Sequence, residues 1–304
     1  MNSPLCLSWL ILLLGGAGWA AAQQVEKPLA ERVATLEDKR ITESSGIIAG
    51  IDQPSVFWTL NDSGGEPCLF AITIAGKTRA KVRLKEAANF DWEAITIGRS
   101  QTGSAQIFVG DIGDNFHLRP TIHIYQIPEP ALPAEADADK EVETAPPQLW
   151  HASYPDGPRN SESLLMHPTS GRLYVISKSD AGHSALYAFP PKLVPEKAMM
   201  LEKIADVELP SRVRIGKRPK DASQVSDACF SPSGDRIAIA TYSYIYEWEI
   251  GSGETVADAL RRPARLIEPP LLGQLEAMCY DKDGRSLWIT SERLPTPLFR
   301  LKRQ

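Results

Sequence analysis

A carboxylate followed by small and apolar residues recurs five times along the chain, at Glu43 (ESSGIIAG), Glu93 (EAITIG), Glu162 (ESLLMH), Asp227 (DACFSP) and Glu276 (EAMCYD). Carboxylate oxygens are hard ligands, so a convergent set of them suits Ca2+ best, with Mg2+ and Mn2+ behind it. The same groups can instead accept backbone N–H bonds and clamp neighbouring segments. A second set of polar residues follows the first three carboxylates: Asn61 and Asp62 in LNDSGG, Asp111 and Asp114 in GDIGDN, and Lys178 in SKSD. Arg218 belongs to a basic run, RVRIGKRPK, that would bridge an anionic ligand to a bound cation.

The elements that must carry these residues repeat with them. After each carboxylate comes a turn (IDQPS, GRSQTGSAQ, HPTSGR, SPSGDR, DKDGR), then a β-rich run (VFWTL, IFVG, LYVIS, IAIAT, SLWIT). An apolar–aromatic segment closes each unit: LFAI, IYQI, LYAF, IYEW and LFRL. Short runs of β-branched and aromatic residues between turn signals are strands. One further strand candidate lies between units (AKVRL, LWHASY, KIADVEL, ARLIEPP), making four strands per unit, the blade of a propeller.

The last unit ends after its third strand, so its fourth is expected from the N-terminal ERVATLED, which would close the ring and remove open edges. The fold class is therefore all-β, a five-bladed propeller, with six blades as the alternative if another hides in the irregular 128–148 stretch. The Pro-, Ala- and acid-rich part of that stretch (128–147) reads as a mobile loop.

In this architecture the first strands of the blades line a central channel, and the five carboxylates converge at one mouth. At about 8 Å and an effective dielectric near 20, each adjacent pair would repel by roughly 2 kcal/mol, which calls for a cation, a basic partner or proton uptake. Trp92 and Phe116 are the aromatic candidates for a platform on that face, and His117 is its candidate acid or base.

A net charge of −5 without a basic stripe argues against nucleic acid as a partner, and 43% hydrophobic residues suit a folded chain. Leu5–Leu14 is an apolar core followed by Ala20-x-Ala22, so residues 1–22 read as an export signal, and residues 23–304 as one secreted or periplasmic domain without a membrane anchor. The alternative for the same uncharged stretch is a retained anchor. Cys68, Cys229 and Cys279 remain, an odd number. Cys229 and Cys279 stand at positions that differ by one residue relative to their carboxylates, which predicts opposite sheet faces and free thiols. A monomer is expected.

ESSGI, LNDSGG, FDWEAITIG and GDIGDN, in that order, resemble bacterial exported propellers of the phytase-like and SdiA-regulated-like type, as does YPDGPRNSESLLMHPTSGRLYVISK. The resemblance covers most of residues 40–300. It implies a propeller and Ca2+ at acidic channel residues, with Glu43, Glu93 and Glu162 as the positions carried over. Five blades depart from the six of the phytases. The reading favoured is a module that binds an anionic small molecule or a protein ligand at the acidic mouth. Its alternatives are a metal-dependent phosphoester or ester hydrolase and, behind that, a glycosidase.

Overall fold

The computed structural model describes residues 25–135, 140–179, 183–195, 197–209, 214, 216–217 and 222–302. The segment read as an export signal lies outside them. The strands form five sheets, each built on one four-stranded antiparallel meander. Their inner strands are Ser44–Ala49, Trp92–Arg99, Ser161–Met166, Val225–Phe230 and Leu275–Tyr280, in blades one to five. Each packs against the next and the last against the first, so the ring is closed. Blade five obtains its outer strand from the N-terminus: Leu29–Thr35 pairs antiparallel with Pro297–Lys302.

Sheets stacked on both sides bury both faces, which explains why the strands read as apolar runs instead of alternating. Five apolar clusters fill the gaps, one between each pair of neighbouring blades. Successive residues of a strand feed different gaps: Ile47 packs toward blade five and Ile48 toward blade two.

The expectation of a mobile loop at 128–147 is overturned in part. Glu141–Glu143 adds to the outer strand of blade one as a parallel fifth strand, which also leaves no sixth blade there. The device recurs. Ala198–Met200 adds to blade two and Val25–Glu26 to blade four, both parallel. The helix Val256–Leu260, capped by Thr255, rests on the outer strand of blade three, Glu202–Glu208. In each case the chain entering a blade's outer strand first reaches back to the blade before it. Blade one has only a tight turn there, and Gly76 makes it possible: its φ is +83°, and a Cβ would stand 2.3 Å from the Thr35 carbonyl oxygen of blade five.

Candidate functional site

Every inner strand carries a β-bulge at one position, which turns that residue out of the ladder and re-aims its side chain. The unpaired residues are Ser45, Glu93, Glu162, Ser226 and Glu276. Three of the five recurrent acids therefore occupy equivalent places, and two do not. Glu43 lies two residues before its bulge and is exposed. Asp227 lies one residue after. Aligning the repeats on the apolar residue that follows (Ile47, Ile95, Leu164, Ala228, Met278), and not on the acid, would have found Ser45 and Ser226.

Asp227 is a clamp. Its Oδ1 accepts the N–H of Ala228 at 2.7 Å, and its Oδ2 accepts that of Met278 in blade five at 2.6 Å. Burial pushes its carboxyl well up. The register correction also moves Cys229 and Cys279 to equivalent positions, three residues past their bulges, so opposite faces are not what keeps them apart. Both thiols are free, and each accepts a backbone N–H from the following blade, of Tyr280 and Ala49 respectively. Thr96 does the same for Met166 at 3.1 Å.

Glu162 is neutralised by a cation of the chain itself. Lys178 Nζ donates to Glu162 Oε1 at 2.8 Å and to the Tyr242 hydroxyl at 2.7 Å. Burial pulls the ammonium down, but the charges of Glu162 and Glu276 more than offset it, and its pKa is raised. Glu276 accepts from Gln274 at 3.1 Å; burial, then the charge of Glu162, lifts its carboxyl well above the ordinary range.

The third bulge acid, Glu93, has different company. Carboxylate oxygens of Asp62, Asp91 and Glu93 all lie within 4.8 Å of one another. Asp62 comes from the turn after the second strand of blade one, and Asp91 from the connection into blade two. Ser45 donates to Glu93 Oε2 at 3.2 Å. Gly113 covers the cluster, and a Cβ on it would stand 2.3 Å from Asp91 Oδ2 and 2.8 Å from Glu93 Oε1. Burial, then the charge of Glu162, raises both Glu93 and Asp91. Asp62 is pushed up to about 7 by burial, helped by the charges of Glu162, Asp91 and Glu292 against an opposing hydrogen bond from Ser63 N–H.

The other sequence-predicted polar residues build the loops that hold this cluster. Asn61 accepts from Glu43 N and donates to the Arg40 carbonyl. Asp111 pairs with Arg119 at 2.7 Å and accepts from Asp91 N. Asp114 accepts the N–H groups of Leu118 and Arg119. Arg218 lies outside the described residues. Its neighbours Arg214 and Lys217 donate to carbonyls of Pro269, Leu272 and Gly273, in the connection between blades four and five. Trp92 is fully buried with its indole N–H on the Ala88 carbonyl, so it is core and no platform. Phe116 is 83% exposed, and Phe90, next to Asp91, is 67% exposed.

On the same face opens a cavity of about 500 Å3. Lys178, Arg159, His117 and His183 line it, with amides of Asn115, Asn160, Gln224 and Gln274, the Tyr242 phenol and two serines. Among the described residues no carboxylate and no aliphatic side chain reaches its wall. Arg159 Nε has no hydrogen-bond partner there, while its Nη2 is held by Asp156 at 2.9 Å. Asn115, two residues beyond Gly113, lines this cavity and accepts from Asn160 at 3.2 Å. The cavity residues were largely missed in the sequence because they come in ones, twos and threes from separate loops and strand ends of different blades.

No protein-family model and no curated protein matches the chain. Two solved structures that resemble it are the WD40 repeats of RRP9 and a gluconolactonase from Xanthomonas campestris. The first is 12% identical over 92% of this chain and 100% of that one, with a TM-score of 0.45. The second is 12% identical over 86% of each chain, with a TM-score of 0.46.

Proposed function

We propose that the chain is an exported binding propeller that holds a divalent cation, Ca2+ by its donor set, on Asp62, Asp91 and Glu93 and an anionic small molecule in the cavity on the same face. One observation carries the reading: a pocket walled by cations, amides and hydroxyls opens on the same face as three carboxylates that share one small space, and the loop from Gly113 to Asn115 touches both. Hard oxygen donors suit Ca2+, and the Gly113 cradle leaves room against two of the three. Of the three positions that the phytase-like resemblance implies, only Glu93 fits this set. Glu43 is exposed, and the charge of Glu162 is met by Lys178.

The test is calorimetry of chelator-treated mature protein with Ca2+, then with inorganic phosphate. Saturation to a hundred times the dissociation constant should stabilise by about 2.7 kcal/mol. Asp91→Asn should weaken Ca2+ binding at least tenfold and phosphate binding with it. A melting temperature unmoved by Ca2+, Mg2+ and Mn2+ overturns the reading. Turnover of a generic phosphoester that disappears in Asp91→Asn would replace the binding module with the hydrolase, in which the same cation activates water.

A further inference from the structure

The opposite mouth of the channel has a different chemistry. There the inner strands end in a cavity of about 410 Å3, walled by Ile48, Ile97, Met166, Phe230, Cys229 and Cys279. Ala49, Ile97 and Cys229 keep part of their surface open, although each sits on an inner strand. The thioether of Met166 lies flat against blade two because residue 98 is glycine: a Cβ there would stand 2.0 Å from Met166 Sδ. The wall is therefore mostly apolar, with Thr96 and Ser231 as its uncharged polar members. A volume of this size lies within the range of small-molecule sites.

The rim carries charge of one usable sign. Asp281 is spent, with Oδ1 accepting the N–H groups of Arg285 and Ser286, and Oδ2 accepting from Arg300. Arg99 is held by Asp52 at 3.2 Å. Lys282 is exposed, and its ammonium donates to the Pro54 carbonyl at 2.8 Å. Among the described residues it has no carboxylate within ion-pair distance. One ammonium with donors to spare thus stands over an open apolar hole.

We propose that this mouth is a second ligand site that takes an anionic amphiphile, with its carboxylate on Lys282 and its hydrocarbon chain in the cavity between Ile97, Phe230 and Cys229. The site is independent of the acidic mouth, which lies at the other end of the inner strands. Each methylene that enters the cavity should strengthen binding about fourfold, and Lys282 sets the sign of the charge that the site accepts.

Cys229 is a built-in reporter, since it lines the cavity and keeps part of its surface open. The experiment follows N-ethylmaleimide labelling of Cys229 in the native mature protein, located by peptide mass spectrometry. Decanoate, decanol and decyltrimethylammonium are compared below their micelle concentrations. Decanoate should slow labelling at least about fivefold at saturation, and decyltrimethylammonium should need a concentration about tenfold higher or more. Lys282→Met should raise the decanoate concentration for half-protection about tenfold, the factor of one charge-assisted hydrogen bond, without changing that for decanol. Gly98→Ala, which drives the flexible Met166 thioether into the cavity, should weaken protection by both. An unchanged labelling rate with decanoate overturns the proposal, as does equal protection by the cationic analogue. Burial holds the Cys229 thiol up and slows its labelling, so calorimetric titration with decanoate reads the same site independently, and the absence of saturable binding there overturns the proposal too.

Discussion

Replacing Lys178 with methionine removes the ammonium that Glu162 and Tyr242 share. The lysine side chain is 14% exposed and that of Glu162 5%, so the pair is buried and screened little by solvent. Forming such a pair adds little net stability, but breaking it leaves a buried charge without compensation, at a typical cost of 3–5 kcal/mol. The variant can escape part of that cost by taking up a proton. For a carboxyl with an ordinary pKa near 4.3, this costs about 4 kcal/mol at pH 7.5 and about 1.6 kcal/mol at pH 5.5. Proton uptake therefore caps the loss, and the cap falls with pH. The sign follows from linkage: a folded state that binds more protons than the unfolded one loses stability as pH rises.

Urea denaturation of wild type and Lys178→Met at pH 5.5, 6.5 and 7.5, in chelator, reads this directly. The difference should be about 4 kcal/mol at pH 7.5, a fall in melting temperature of roughly ten degrees for a domain of this size. It should shrink toward about 2 kcal/mol at pH 5.5. Adding Glu162→Gln to Lys178→Met should recover most of the loss at pH 7.5, because no charge is then left unpaired. A loss below about 1 kcal/mol, or one that does not change with pH, refutes the account of Lys178 as the counter-charge of the channel.

Three further outcomes are expected. Asp227→Asn should cost about 1–3 kcal/mol, equally with chelator and with Ca2+, because the amide cannot accept from both Ala228 and Met278; a loss confined to Ca2+ would mark Asp227 as a ligand. Deleting residues 25–36 removes both the outer strand of blade five and the fifth strand of blade four, and should abolish cooperative unfolding in calorimetry; an unchanged transition would break the closure argument. Wild-type stability in chelator should fall as pH rises from 5 to 7, since Asp62 is raised to about 7 and keeps in that window a proton that the unfolded chain has lost. One proton contributes a slope of at most about 1.4 kcal/mol per pH unit, and Asp62→Asn should flatten it; a urea-monitored stability that rises over this range would contradict the placement.

Blades were readable in the chain because each one repeats the same physical demand: four short strands, buried on both faces, separated by turns. Even the closing strand at Leu29–Thr35 could be inferred, since Pro297–Lys302 would otherwise be an open edge. The fifth strands could not. Glu141–Glu143 is acidic and sits in a Pro- and Ala-rich stretch, and what holds it is external, namely the ion pairs of Glu141 with Lys81 and Arg83 on the blade before. The site was half readable for a related reason. Acid residues recur near the start of every inner strand, but a bulge adds one residue to one strand and leaves no composition mark. A shift of one or two positions then decides whether an acid faces the channel, caps a neighbour or meets solvent. Glu93, Asp227 and Glu43 are those three cases. Only Glu93 meets Asp62 and Asp91, which stand in two other loops, and their meeting depends on the absence of a single Cβ at Gly113. That close approach is a property of the assembled ring, and it is where the chemistry of this face is concentrated.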